Sequence, residues 1–201
     1  MSAASTPSSS TAPYDPNTPD VETVELHPRL IVVSGQAGSG KTTLAHRLAA
    51  AIGCPAICRD EIKEGMVHAH GPGFAAAVSD PLTRLTFPLF FDCVRLLLAG
   101  GVTVVAEAAF QHRLWSQGLA PLLELAGSAR VIRCEAPDGV MLQRRRDRMA
   151  SLATRQAHAD GDVLKPAVGW DRIHLDLPTL DVDTTDGYRP GLEKVAVFAA
   201  E

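Results

Sequence analysis

A chain of 201 residues, 46% hydrophobic and 21% charged, has the size and composition of one ordinary globular domain with a full core. Its net charge of −4 supplies no global basic field for holding a long nucleic acid, which favours a small substrate. No run approaches the roughly 18 apolar residues of a membrane span, and no charged segment followed by an apolar one opens the chain, so a cytoplasmic protein without membrane attachment is expected.

In chain order, Ser2 to Asp20 is rich in Ser, Thr, Ala and Pro, and residues 1–27 are expected to form a disordered tail ahead of one domain over 28–201. Leu30-Ile31-Val32-Val33 is a buried strand. It runs directly into Gly35-Gln36-Ala37-Gly38-Ser39-Gly40-Lys41-Thr42, a complete G-x-x-x-x-G-K-[ST] phosphate loop. Closely spaced glycines let successive N–H groups turn inward around a triphosphate, Lys41 reaches the β/γ-phosphates, and the Thr42 hydroxyl can ligate Mg²⁺. From Thr43 to Ile52 apolar residues recur at helical spacing, which points a helix N-terminus at the same anion.

Pro55 to Arg59 reads as a second short strand closing at Asp60, and Glu61 to Val67 as the start of a helix. His68 to Asp80, interrupted by Gly71-Pro72-Gly73, has the composition of a loop or mobile cap. Pro81 to Ala99 is a helix that Pro88 kinks or divides. Val102 to Glu107 is a strand covered on both faces and ending in a carboxylate, followed by a helix over His112 to Ala126. Arg130 to Cys134 is a further strand. Pro137 and Asp138 then open a helix that carries Arg144, Arg145, Arg146 and Arg148. Thr179 to Asp183 is a last strand and Leu192 to Ala200 a closing helix. Strands alternating with helices in this way predict right-handed crossovers and a mainly parallel five-stranded sheet, with ligands at the carboxyl ends of the strands. Cys54, Cys58, Cys93 and Cys134 form no C-x-x-C pair and read as buried reduced thiols.

Several polar residues fall on the expected sheet rim. Asp60, 19 positions after Lys41, can accept or orient the proton of an attacking hydroxyl; a helix N-cap is its alternative role. Glu107 fits an acid that holds Mg²⁺ through water, or one that hydrogen-bonds the substrate. Arg144 and Arg148 lie one turn apart on one helix face. With Arg155 and His158 in the polar stretch beyond, they form an arginine-rich lid that neutralises a transferring phosphoryl group and excludes water. His68-x-His70 lacks a third ligand and is better read as a loop touching substrate. Trp115, Trp170 and Phe74 are core residues or walls of an acceptor pocket.

Taken together, the loop over Ile31 to Thr43, Arg59-Asp60-Glu61-Ile62-Lys63, the strand ending at Glu107, Arg144-x-x-x-Arg148 and Leu180 to Thr184 resemble the P-loop kinases related to chloramphenicol phosphotransferase, zeta toxin and the polynucleotide 5′-kinase domain. The resemblance spans Arg29 to the C-terminus. It implies a three-layer α/β/α fold with the phosphate-loop strand central, Asp60 as base for an acceptor hydroxyl, a substrate contact at Lys63, and lid arginines on ATP phosphates. Glu107-Ala108-Ala109 departs from the polar run common in members that phosphorylate nucleic acid ends. The expected function is therefore an ATP- and Mg²⁺-dependent kinase acting on a small-molecule hydroxyl, of an antibiotic or a sugar-like metabolite. Its rivals are a nucleic-acid 5′-hydroxyl or nucleotide-sugar kinase, and a non-catalytic ATP-binding switch. The acceptor, the choice of ATP over GTP and the oligomeric state leave no signature in the sequence.

Overall fold

The computed structural model describes residues 25–77, 80–151 and 170–201. The expected tail up to residue 24, and Arg155 and His158 of the expected lid, lie outside the described residues. In chain order the elements are β1 (Arg29–Gly35), α1 (Lys41–Ile52), β2 (Ala56–Cys58), α2 (Arg59–His70), α3 (Pro81–Ala99) and β3 (Val104–Glu107), then α4 (His112–Leu125), β4 (Ser128–Glu135), α5 (Asp138–Ser151), β5 (Thr179–Asp183) and α6 (Leu192–Ala200). The sheet order is β2-β3-β1-β4-β5. Every pairing is parallel, so the sheet is wholly and not mainly so, with β1 central as the resemblance implies.

The period-two alternation of β1 divides the core. Leu30 and Val32 face Phe90, Val94 and Leu98 of α3 and Trp115, Leu119 and Leu122 of α4. Ile31 and Val33 face Leu44 and Leu48 of α1 and Val195 and Ala199 of α6. Both faces are covered, which is why the strand reads as an unbroken apolar run. Three layers result, and all five strand ends reach one rim.

Four expectations change. Helix α2 begins at Arg59, so Asp60 sits in its first turn instead of on a strand end, and the cap position belongs to Cys58. The same helix runs on to His70, placing His68 and His70 on a helix two residues apart, where their side chains diverge by about 200° and cannot share an ion. Helix α3 continues through Pro88 without division. Of the four free cysteines, Cys58 and Cys134 are buried but Cys54 and Cys93 are only partly so.

Lys63 and Asp80 clasp α2 to the start of α3. Both side chains are 3% exposed, with Lys63 Nζ 2.8 Å from Asp80 Oδ2. The other carboxylate oxygen accepts from the Thr83 N–H, capping α3. Burial opposes ionisation of Asp80, but the Lys63 ammonium and the hydrogen bonds from Thr83 and Ala77 outweigh it and hold the carboxyl well below the usual range. Lys63, expected to touch substrate, is occupied in this clasp.

Lys63→Met leaves Asp80 as an unpaired buried charge and should cost about 3–5 kcal/mol, part of which Lys63→Met combined with Asp80→Asn restores; urea unfolding measures both. Because the folded-state value of Asp80 is depressed, its contribution is complete above the ordinary carboxylate pKa of about 3.9 and is lost as pH falls through the lower folded value. Acid unfolding of Asp80→Asn should therefore be less steep than that of the wild type.

A second outcome concerns Gly118 in α4, where a Cβ would overlap the ring of Phe91. That ring is itself packed against Phe87 and Trp115, with centroids at 5.1 and 5.5 Å. Gly→Ala in a helix ordinarily stabilises by up to about 1 kcal/mol. Gly118→Ala should instead lower the unfolding midpoint, and a raised midpoint would show that the aromatic cluster yields freely.

Candidate active site

Helix α1 starts where β1 ends, and the turn between them is possible only with glycine at particular places. Gly38 has φ +90°, and a Cβ there would overlap the Met141 carbonyl oxygen of α5. At Gly35 a Cβ would overlap the Ser39 hydroxyl and lie 2.6 Å from the Cys134 carbonyl oxygen. The loop is thus pressed against β4 and α5, with its concave side open. The buried Ser39 hydroxyl has no hydrogen-bond partner among the described residues, a vacant valence that an anion's oxygen or a water satisfies.

Beneath the loop lies Glu107, 1% exposed at the end of β3. Lys41 Nζ stands 3.4 Å from its Oε1, and the Thr42 hydroxyl donates to its Oε2 at 3.1 Å. The parallel register sets Val33 beside Glu107 and so brings the strand end under the loop. Burial raises the Glu107 pKa, the Lys41 ammonium opposes this, and the charge of Asp60 adds to the rise. Asp60 is therefore within electrostatic reach of Glu107, on the same rim. Its Oδ1 accepts from Arg59 at 3.0 Å, and its side chain is 38% exposed. A hydroxyl and a carboxylate side by side are hard oxygen donors of the kind Mg²⁺ takes, so the residues present fit that ion.

A cleft of about 440 Å³ is lined by the loop, with Lys41 and Thr42, and by Arg47, Arg144, Asp147, Arg148, Thr184 and Tyr188. Asp60 does not line it. Arg144 donates to the Gly38 carbonyl at 3.4 Å and to the Thr185 carbonyl at 3.1 Å, so its guanidinium ties α5 to the loop. Buried Thr184 completes the tie, donating to the Ser39 carbonyl at 2.6 Å while its N–H donates to the Glu135 carbonyl at 2.9 Å. Arg148 shares the cleft with Arg144, as their one-turn spacing predicts.

Arg47 and Tyr188 are the functional candidates that motif reading missed, stacked with the guanidinium carbon 5.7 Å from the ring centroid. Arg47 lies four residues after Thr43 on α1, a spacing that puts both at the cleft and could have identified it. Trp115 belongs to the core, its ring 4.9 Å from that of Phe110 and 5.6 Å from that of Phe90. Phe110 is likewise fully buried, at φ 43°. Phe74 sits at the far end of α2, edge-on to His70 and 5.8 Å from Lys63 Nζ. No helix of the described residues is long and apolar enough to cross a membrane.

Among solved structures, the chain is similar to a protein of Chloroflexus aurantiacus provisionally assigned as a kinase, at 25% identity and TM-score 0.74, over 86% of this chain and 97% of that one. It is also similar to the APS kinase CysC of Mycobacterium tuberculosis, solved with AMPPNP and APS, at 14% identity and TM-score 0.59, covering 88% and 100% of the two chains. A sugar kinase of Janibacter sp. gives 19% identity and TM-score 0.56 over 85% and 91%. Below 25% identity such likeness speaks for the fold alone. No curated protein matches the chain. The family model AAA_33, described as an AAA domain, matches residues 30–166, more than half of the sequence, and the chain belongs to that family, with the P-loop kinase fold its neighbours share.

Proposed function

We propose that this protein is an ATP- and Mg²⁺-dependent kinase that transfers the γ-phosphoryl group to a hydroxyl of a small molecule, of the antibiotic or sugar-like class. The observation that carries the reading is the contact of Lys41 and Thr42 with buried Glu107 at the loop, with the Asp60 carboxylate on the neighbouring strand-helix junction. A nucleotide tail fits the glycine loop and the arginine-lined cleft; the acceptor fits the other side, where Asp60 stands. The kinase assignments of the similar structures, a sugar kinase among them, agree with a small acceptor.

In this reading the loop amides and Lys41 hold the phosphates, while Thr42 and Glu107 would hold Mg²⁺, which would supply charge neutralisation to the phosphate chain. Asp60 orients the acceptor hydroxyl and takes its proton as the new O–P bond forms and the bond to the departing ADP breaks. Arg148, and Arg144 once released from the carbonyls it now holds, stabilise the spreading negative charge. Arg155, outside the described residues, is assigned to the same lid. Lys63 is left out of the substrate contacts, its ammonium being committed to Asp80.

Lys41→Ala should weaken nucleotide binding and lower turnover by about 10²–10³, since its charge acts on the transferring group itself; calorimetry and coupled ADP release measure the two effects. Asp60→Asn should keep nucleotide affinity and lose about 10²–10⁴ of acceptor-dependent ADP release. Both are scored over a panel of hydroxyl compounds that includes sugars, aminoglycosides and 5′-hydroxyl oligonucleotides. Near-normal turnover in Asp60→Asn removes that residue from the mechanism. Transfer only to the oligonucleotides moves the acceptor class to nucleic acid ends, and nucleotide binding with no acceptor-dependent release identifies a switch.

A further inference from the structure

His46 of α1, Cys58 at the end of β2 and Glu61 in the first turn of α2 converge from three successive elements. Their donor atoms all lie within 4.8 Å of one another. His46 Nε2 is the hub, 2.7 Å from Glu61 Oε1 and 3.6 Å from Cys58 Sγ. A tetrahedral zinc centre, with Zn–N of about 2.0 Å and Zn–S of about 2.3 Å, separates its nitrogen and sulfur by roughly 3.6 Å. The His46–Cys58 pair already has that spacing. Glu61 is exposed at the tip of its side chain and needs to retreat by roughly 0.6 Å to reach the corresponding oxygen position.

Chemistry and placement agree with the geometry. Cys58 closes β2 in extended backbone and Glu61 stands in the first turn of α2, so the strand-to-helix junction brings the two side chains together at His46. The thiol is buried, while His46 and Glu61 are half exposed, leaving an entry path and a fourth position open to water. Burial first, and then the charges of Glu107 and Glu61, hold the Cys58 thiol protonated, a resistance that a cation bound among these groups would offset.

We propose that His46, Cys58 and Glu61 form a divalent-metal site selective for borderline ions such as Zn²⁺, adjoining the hard-oxygen pair Thr42 and Glu107 through the Cys58–Glu107 register of β2 and β3. Sulfur and imidazole donors favour Zn²⁺ over Mg²⁺, so the two sites sort the ions by softness. On binding, the Cys58 S–H bond gives its proton to solvent and the sulfur pair is donated to the metal. Because Asp60 lies between Cys58 and Glu61, an occupied site braces the turn that carries it. The site stands or falls independently of any catalytic role of Asp60.

The full-length protein is titrated with Co²⁺ in a large excess of Mg²⁺, which fills any oxygen-only site. The expected result is a near-ultraviolet sulfur-to-cobalt charge-transfer band that Zn²⁺ abolishes by displacement. The band should vanish in Cys58→Ser, and Co²⁺ affinity should fall at least about tenfold in His46→Gln and in Glu61→Gln. In parallel, Zn²⁺ should raise the unfolding midpoint of the wild type and leave that of His46→Gln, altered only at an exposed helix position, where it was. No band in the wild type overturns the proposal. So does a band that survives in Cys58→Ser, which would belong to Cys54, Cys93 or Cys134, or one that His46→Gln leaves undiminished.

Discussion

The centre of this structure is a carboxylate that should not be comfortable. Glu107 is 1% exposed, and a lone buried carboxylate is costly enough to protonate or to expel itself. It is tolerated because Lys41 and Thr42, the last two residues of the glycine loop motif, both reach it. The dependence runs in both directions, since the loop needs an acidic floor to hold the ammonium and hydroxyl in place. Strand β1 must therefore end beside β3, with Val33 in register with Glu107. The central position of β1 and the parallel sense of its neighbours are the geometric conditions for that one contact.

Around it, the loop's open shape is held from outside. Thr184, at the end of β5, bonds the Ser39 and Glu135 carbonyls, and Arg144 of α5 bonds the Gly38 carbonyl, so two elements remote in sequence grip the outer side of the loop. The Gly38 and Ser39 carbonyls are thereby satisfied by protein. Gly35 and Gly38 allow this by bringing the backbone close to β4 and α5, where any Cβ would intrude. Preorganisation of this kind means that little reorganisation remains when an anion arrives.

Elements whose signals are local were legible before any coordinates. The phosphate loop, the bounds of β5 and α6, the helix from Pro81 to Ala99 and the shared face of Arg144 and Arg148 follow from spacing and turn chemistry alone. Some departures involve contacts distant in sequence, and others the bounds of one helix. Lys63 looks like a substrate contact until Asp80, 17 residues on, takes its ammonium in a buried pair. Trp115 reads equally as core or as pocket wall, and the packing of α3 against α4 decides for the core. Helix α2 starts before Asp60 because an extended Cys58 hands over directly to helical backbone, with two acids in the first turn favoured by the helix dipole. Nothing in the glycine-rich letters after Val67 signals that the helix continues to His70.

The two sides of the loop are chemically unlike, and the proposed division of labour follows from that. One side is the cleft to which Lys41, Arg47, Arg144 and Arg148 bring four positive charges against the one negative charge of Asp147, a balance suited to a polyphosphate. The other carries Asp60 and Glu107, whose mutual repulsion contributes to the raised pKa of the buried member. Two like charges placed close together are stable only if a cation stands between them or near them; Lys41 lies against Glu107 and Arg59 against Asp60. A phosphate chain arriving from the arginine side would draw Lys41 towards itself and weaken its hold on Glu107, leaving the carboxylate to a divalent ion held with Thr42. Under the proposed reading, nucleotide and metal are therefore coupled through the Lys41 ammonium: each makes room for the other, and neither is expected to bind as well alone as together.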